Sequence, residues 1–146
     1  MSLKIEVSGK NLIIKTDTID DSVIYKLKTD HIIFQAKPES GFKFNFNVTL
    51  EKWILFVSQL KSLTFMGILQ DQQFKSEHLE TSQLEYLHIG GTNYQLFENQ
   101  TNLPIIKTVI LWGIGLVRID TDHIWLKKLK ESGCSVERYY ENLFKV

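Results

Sequence analysis

Apolar and polar residues alternate with a period of two through the first third of the chain, the spacing of half-buried strands. Leu3 to Val7 reads as one strand, and Ser8-Gly9-Lys10-Asn11 turns it into a second, Leu12 to Thr16. After the acidic, polar segment Asp17 to Asp21, Val23, Tyr25 and Leu27 alternate with Ile24, Lys26 and Lys28, which predicts a third. Thr29-Asp30 leads into His31 to Ala36, and Pro38-Glu39-Ser40-Gly41 breaks the chain again. Phe42, Phe44, Phe46 and Val48 then alternate with Lys43, Asn45 and Asn47, the cleanest strand in the sequence. Short strands separated by turn residues predict successive hairpins.

At Thr49 the period changes to about 3.6 residues, which predicts a helix over Thr49 to Leu63 with Thr49 as its cap and Glu51 at the positive end of its dipole. Leu50, Trp53, Ile54, Phe56, Val57, Leu60 and Leu63 share its apolar face, and Leu55 alone falls on the polar one. Beyond the apolar run Thr64 to Leu69 and the polar stretch Gln70 to Gln83, Leu84 to Ile89 reads as a strand. The turn Gly90-Gly91-Thr92-Asn93 would fold it back on Tyr94 to Phe97. The nearly unbroken apolar run Ile105 to Ile119 predicts a central strand buried on both faces, bent or interrupted at Gly113 and Gly115. Thr121 to Ser132 reads as a helix stopped by Gly133, and Ser135 to Leu143 as a last short one. No internal repeat or long linker stands out. The expectation is a single α+β domain over residues 1–146: a mostly antiparallel sheet packed by one amphipathic helix and closed by short C-terminal helices.

Composition narrows the function classes. The 146 residues are 43% hydrophobic and include nine Phe, enough for a packed core. Seventeen basic residues balance seventeen acidic ones, so the basic excess of a sequence-nonspecific nucleic-acid binder is missing. One cysteine, Cys134, can form neither an internal disulfide nor a multi-thiolate metal site. Met1 to Val7 lacks the apolar core of a signal peptide, and Val109 to Val117 is about half of the ~20 residues that span a membrane. The expected compartment is the cytoplasm, with no membrane and no nucleic acid as partner.

Candidate chemistry is sparse. Asp120, Asp122 and His123 put two carboxylates and an imidazole within four residues, the one cluster that could line an enzyme or ligand pocket between sheet and helix. Helix capping accounts for them more simply, and no ligand set of known spacing accompanies them, so neither metal nor cofactor is expected. His31, His78 and His88 are scattered. Cys134, before the last expected helix, could be activated by a helix N-terminus, but no local nucleophile signature supports that. The glycine pairs lack the pattern of a dinucleotide or phosphate loop, and the Phe42, Phe44, Phe46 alternation reads as core rather than as a stacking platform.

Strands leading directly into the helix, in the phrase FKFNFNVTLEKWILFVSQLKSL, resemble the layout of small bacterial immunity proteins of polymorphic-toxin and contact-dependent inhibition systems. The likeness spans roughly the first two thirds of the chain. It implies a cytosolic, non-enzymatic protein that binds one cognate toxin domain and blocks its active site or substrate entry. Immunity proteins against nucleases are often markedly acidic and this chain is neutral, which argues against a nuclease partner. Charge is nonetheless uneven. Asp71, Glu77, Glu80, Glu85 and Glu98 face only Lys75 between Asp71 and Gln100, while Lys107, Arg118, Lys127, Lys128 and Lys130 outnumber Asp120 and Asp122 further on. Glu77, Glu80, Glu85 and Glu98, with Tyr86 and Tyr94 as aromatic anchors and the stray Leu55, therefore form the expected partner surface.

Overall fold

In the computed structural model, which describes residues 3–25, 27–69, 78, 83–90, 106–112 and 130–139, the alternating segments become strands with the exception of the one around Val23, but they do not fold into a chain of hairpins. The first two do: β1 (Lys4–Ser8) and β2 (Asn11–Lys15) pair antiparallel across a two-residue turn. Gly9, at φ 59°, occupies the first central position of that turn, which a type II′ turn reserves for glycine. Every later pairing among the described residues is parallel. β2, β4 (His31–Gln35), β6 (Ser62–Met66), β8 (Tyr86–Gly90), β9 (Thr108–Trp112) and β10 (Ser135–Tyr139) follow one another in a seven-stranded sheet that β1 begins. β3 (Thr18–Asp20), β5 (Lys43–Asn47) and β7 (Ile68–Leu69) form a second parallel sheet in the same order.

The expectation of a mostly antiparallel sheet is thus corrected. Each turn after β2, β4 and β6 delivers the chain to the second sheet instead of back beside the strand it left. The strand pairs β2–β3, β4–β5 and β6–β7 stack as coils of a parallel solenoid, in which each unit buries its apolar face only against its neighbours. The chain is therefore structurally repetitive although its sequence shows no obvious repeat. It is α+β, strand-rich with few helices. β8 has parallel neighbours on both sides, β6 and β9, and the second arm of the expected hairpin, Tyr94 to Phe97, lies outside the described residues.

Among the described residues, α-helices follow β3 and β5. Val23 was expected in a strand, but Asp20 caps α1 (Asp21–Ile24) by accepting from the Val23 N–H at 3.1 Å, and the local cap prevails over the alternation. α2 (Leu50–Val57) starts where expected and stops six residues earlier than Leu63. Leu60 and Leu63 continue the helical spacing after Val57, but the same three-residue step also carries the chain round a corner into β6, where Leu63 pairs in register with Ile32. Thr49 sits at the N-cap without using its side chain as an acceptor. Instead Asp21 accepts from both the Thr49 N–H, at 2.7 Å, and the Thr49 hydroxyl, tying the two helices together.

The core lies between the sheets. Ile14, Ile32, Phe34, Leu63, Phe65, Leu87 and Ile89 point inward from the large sheet, Ile19, Phe44, Phe46 and Leu69 from the small one, and Trp53, Phe56 and Val57 from α2. Trp53 is fully buried. It meets Phe46 edge-on at 4.9 Å, touches Phe34, Phe56 and Phe65, and donates its indole N–H to the His78 carbonyl at 3.0 Å.

At the C-terminal end, residues 135–139 form β10 and not the expected last helix, because each pairs in parallel register with β9. Of the helix expected over Thr121 to Ser132, Lys130 and Glu131 are described and helical, and the turn ends at Gly133 with φ 93°. Among the described residues, no helix is long and apolar enough to cross a membrane.

Candidate functional site

Alternation along each strand sends one set of side chains into the core and the other to the opposite face of the large sheet. On that outer face the register sets His31, Ser62, Tyr86, Thr108 and Ser135 in one row. Ile13, Ile33, Thr64, His88, Ile110 and Glu137 make the next. Adjacent strands bring neighbours in a row about 4.8 Å apart.

A backbone ladder fixes where each coil enters the sheet. The N–H groups of Lys61 and Ser62 both bond the Asp30 carbonyl, those of Glu85 and Tyr86 the Lys61 carbonyl, and those of Lys107 and Thr108 the Glu85 carbonyl. Asp30, Lys61, Glu85 and Lys107 consequently stack at the rim with alternating charge. Glu85 and Lys107 meet at 3.4 Å, so the acidic and basic segments of the sequence touch there. The pair is exposed, and its contribution to stability is small.

Between rim and rows runs an open groove of about 450 Å³. Its floor is Ile33, Thr64 and His88, with Thr64 and His88 buried; Lys10, Asn11, Lys61 and Glu85 surround it, and His31, Ser62, Met66 and Tyr86 complete the lining. His31 Nδ1 and Ser62 Oγ share a hydrogen bond of 2.9 Å across β4 and β6. Thr29 fixes the backbone at His31, its hydroxyl donating to the His31 carbonyl at 3.0 Å and accepting from the His31 N–H at 3.2 Å. The Tyr86 ring stands edge-on to His88 at 6.4 Å. Burial depresses the His88 imidazole from its ordinary 6.5 to about 4, so it is neutral at physiological pH.

The expected partner surface is only partly brought together. Glu85 and Tyr86 lie side by side at the groove's edge. Leu55 does not join them. It is 73% exposed on α2, whose Trp53 and Phe56 pack on the core side of β4 and β6. There it lines a separate shallow depression with Tyr25, Leu27, Phe56 and Gln59. Glu77, Glu80, Tyr94 and Glu98 lie outside the described residues, as do Asp120, Asp122 and His123 of the alternative pocket. No group of three metal-ligating side chains occurs among the described residues. Cys134 precedes a strand, not a helix; burial pushes its thiol pKa up despite a hydrogen bond with the Val109 backbone, the opposite of an activated nucleophile.

His31, Ser62, Thr64 and His88 escape a reading of the sequence in which the histidines are scattered. A signal for the last three exists in the spacing apolar-x-x-apolar-x-apolar, which recurs as Leu60-Leu63-Phe65, Leu84-Leu87-Ile89 and Ile106-Val109-Leu111. Aligning those triplets puts Ser62 with Tyr86 and Thr64 with His88. Comparison with protein-family models, with curated proteins and with solved structures finds no match.

Proposed function

We propose that the chain is a non-enzymatic protein-binding module that presents the outer face of its parallel sheet to a partner, and that the partner is a cognate toxin domain, as the layout of the sequence implies. The groove is the observation that carries this reading. It is wide, shallow, and lined by aromatic, imidazole and aliphatic side chains inside a charged rim, the composition that interface centres favour. Stacked strands hold these side chains rigidly, which limits the ordering cost of association. His31 and Ser62 alone do not argue for acyl transfer. The N–H groups of Lys61, Ser62, Glu85 and Tyr86 are all engaged in the ladder, so they offer no pair of free donors for an oxyanion. Binding in the cytoplasm fits the buried, unactivated thiol.

The test is a titration against the toxin domain encoded beside this gene, followed by calorimetry and by growth on co-expression. A one-to-one complex and rescue of growth are expected. Tyr86→Ala should weaken binding at least about tenfold, as a central aromatic anchor does. Reversing Glu77, Glu80 and Glu85 to Lys should slow association and weaken its salt dependence. Leu55→Ala should change neither. The converse pattern, Leu55→Ala damaging and Tyr86→Ala silent, would move the interface to the helical side, and no complex at all would overturn the immunity reading.

A further inference from the structure

β1 ends the large sheet, and among the described residues nothing pairs with its other side. All five of its residues are exposed. Leu3, Ile5 and Val7, on the face that continues the core-facing row of Leu12 and Ile14, are exposed by 46%, 55% and 77%. Such an edge is a template for another strand. The hairpin register decides which backbone groups are free. A two-residue turn closes on a hydrogen-bonded pair, here Ser8 and Asn11, so alternate residues Ser8, Glu6 and Lys4 bond to β2 while Leu3, Ile5 and Val7 direct their N–H and C=O groups outward.

The geometry points to a second copy of this chain as the occupant, joined by antiparallel β1–β1 pairing about a two-fold axis at Ile5. In that register Ile5 faces Ile5 of the other copy, Leu3 faces Val7, and Lys4 faces Glu6. Every pair is complementary, and the outward backbone groups of Leu3, Ile5 and Val7 meet in hydrogen-bonded positions. The arrangement also supplies a missing counter-charge. Within one copy Lys4 lies directly across from Lys15, and Glu6 bonds Lys15 at 3.0 Å, so Lys4 has no ion-pair partner among the described residues. Glu6 of a second copy provides it. The self-complementary patch is what a two-fold interface requires. Its size, far below a standard interface of about 1,600 Å², makes the dimer a weak one that forms in the micromolar to millimolar range.

Sedimentation analysis of the full chain from about 5 µM to about 1 mM reads the equilibrium directly. A concentration-dependent dimer is expected. Lys4→Glu and Glu6→Lys should each weaken it about tenfold, and the double swap Lys4→Glu with Glu6→Lys should return it to within about threefold of the original. Ile5→Pro, which removes an outward N–H and no bond to β2, should abolish it while circular dichroism stays unchanged. A monomer at every concentration would overturn the proposal and leave the edge to a strand of another protein. A dimer indifferent to Lys4→Glu and Ile5→Pro would overturn it equally, placing the contact elsewhere.

Discussion

Trp53 joins three layers at once: it leaves α2, fills the space between Phe34 and Phe65 of the large sheet and Phe46 of the small one, and satisfies its only polar atom on the His78 carbonyl. Trp53→Ala should therefore cost about 3–5 kcal/mol in chemical denaturation, the range for large aromatic truncations in a core. Gly67 is the opposite extreme, a site where nothing more fits. A Cβ there would lie 2.6 Å from a Phe44 ring carbon, 2.7 Å from the Ala36 Cβ and 2.8 Å from the Phe42 carbonyl oxygen. Gly67→Ala must push β7 away from its neighbours, and a loss of about 1–3 kcal/mol is expected from such overpacking. Next to it, Phe42 holds the left-handed φ of 59° directly after Gly41 at 70°, and its carbonyl accepts from the Ile68 N–H. His88 makes stability depend on pH between its folded and unfolded pKa values. The unfolded chain takes up its proton near pH 6.5 and the folded one only near 4, so more protons bind the unfolded state between those values. Stability should fall as the pH drops from about 6.5 toward 4, and denaturant midpoints of the wild type minus those of His88→Gln should isolate that slope.

Among the elements, α2 depends on a residue outside itself. Asp21, the first residue of α1, receives the Thr49 hydroxyl and N–H, and Lys52 lies at 3.8 Å. The Thr49 hydroxyl, then its backbone N–H, and more weakly Lys52 hold the Asp21 carboxyl below its ordinary 3.8. A carboxylate favoured in the folded state stabilises it above the ordinary value and loses that contribution as the pH falls through the lowered one. Asp21→Ala should lower the melting temperature at neutral pH and leave a smaller difference from wild type in strong acid. The reciprocal change Thr49→Val should behave alike. This dependence also marks the limit of what the sequence discloses. Thr49 is legible as a boundary because the hydrophobic period changes there, whereas its partner lies 28 residues away and no local pattern names it. The strands show the same division. Alternation in Phe42 to Val48 or His31 to Gln35 identifies a strand and its inner face, but parallel and antiparallel partners impose the same period of two, so direction had to come from where each turn leads. Of the expected partner residues, Glu85 and Tyr86 share an edge because Glu85 precedes β8 and Tyr86 is its first residue. His31 and Ser62, 31 residues apart, become neighbours only through the parallel register of β4 and β6.

At the scale of the whole molecule, each described strand pairs only with its neighbours in the sheet order, so stability is distributed along a line. Opening should start from the ends. In native-state hydrogen exchange the amides of β4 and β6, flanked on both sides and backed by Trp53, should exchange slowest, and those of β1 fastest. Uniform protection across the sheet would contradict this picture. The stacking has a further consequence. Leu12, Ile32, Leu63, Leu87, Val109 and Val136 occupy one row although 20, 31, 24, 22 and 27 residues separate them along the chain. Distance along the polypeptide is thereby decoupled from distance on the surface. The ladder acts as a ruler with fixed graduations, and a connection can gain or lose residues without displacing any mark on it. Each outward position, such as 31, 62 or 86, is an address set by the register, whose occupant can be exchanged while the backbone beneath it stays still. A surface of that kind can follow a changing partner one side chain at a time.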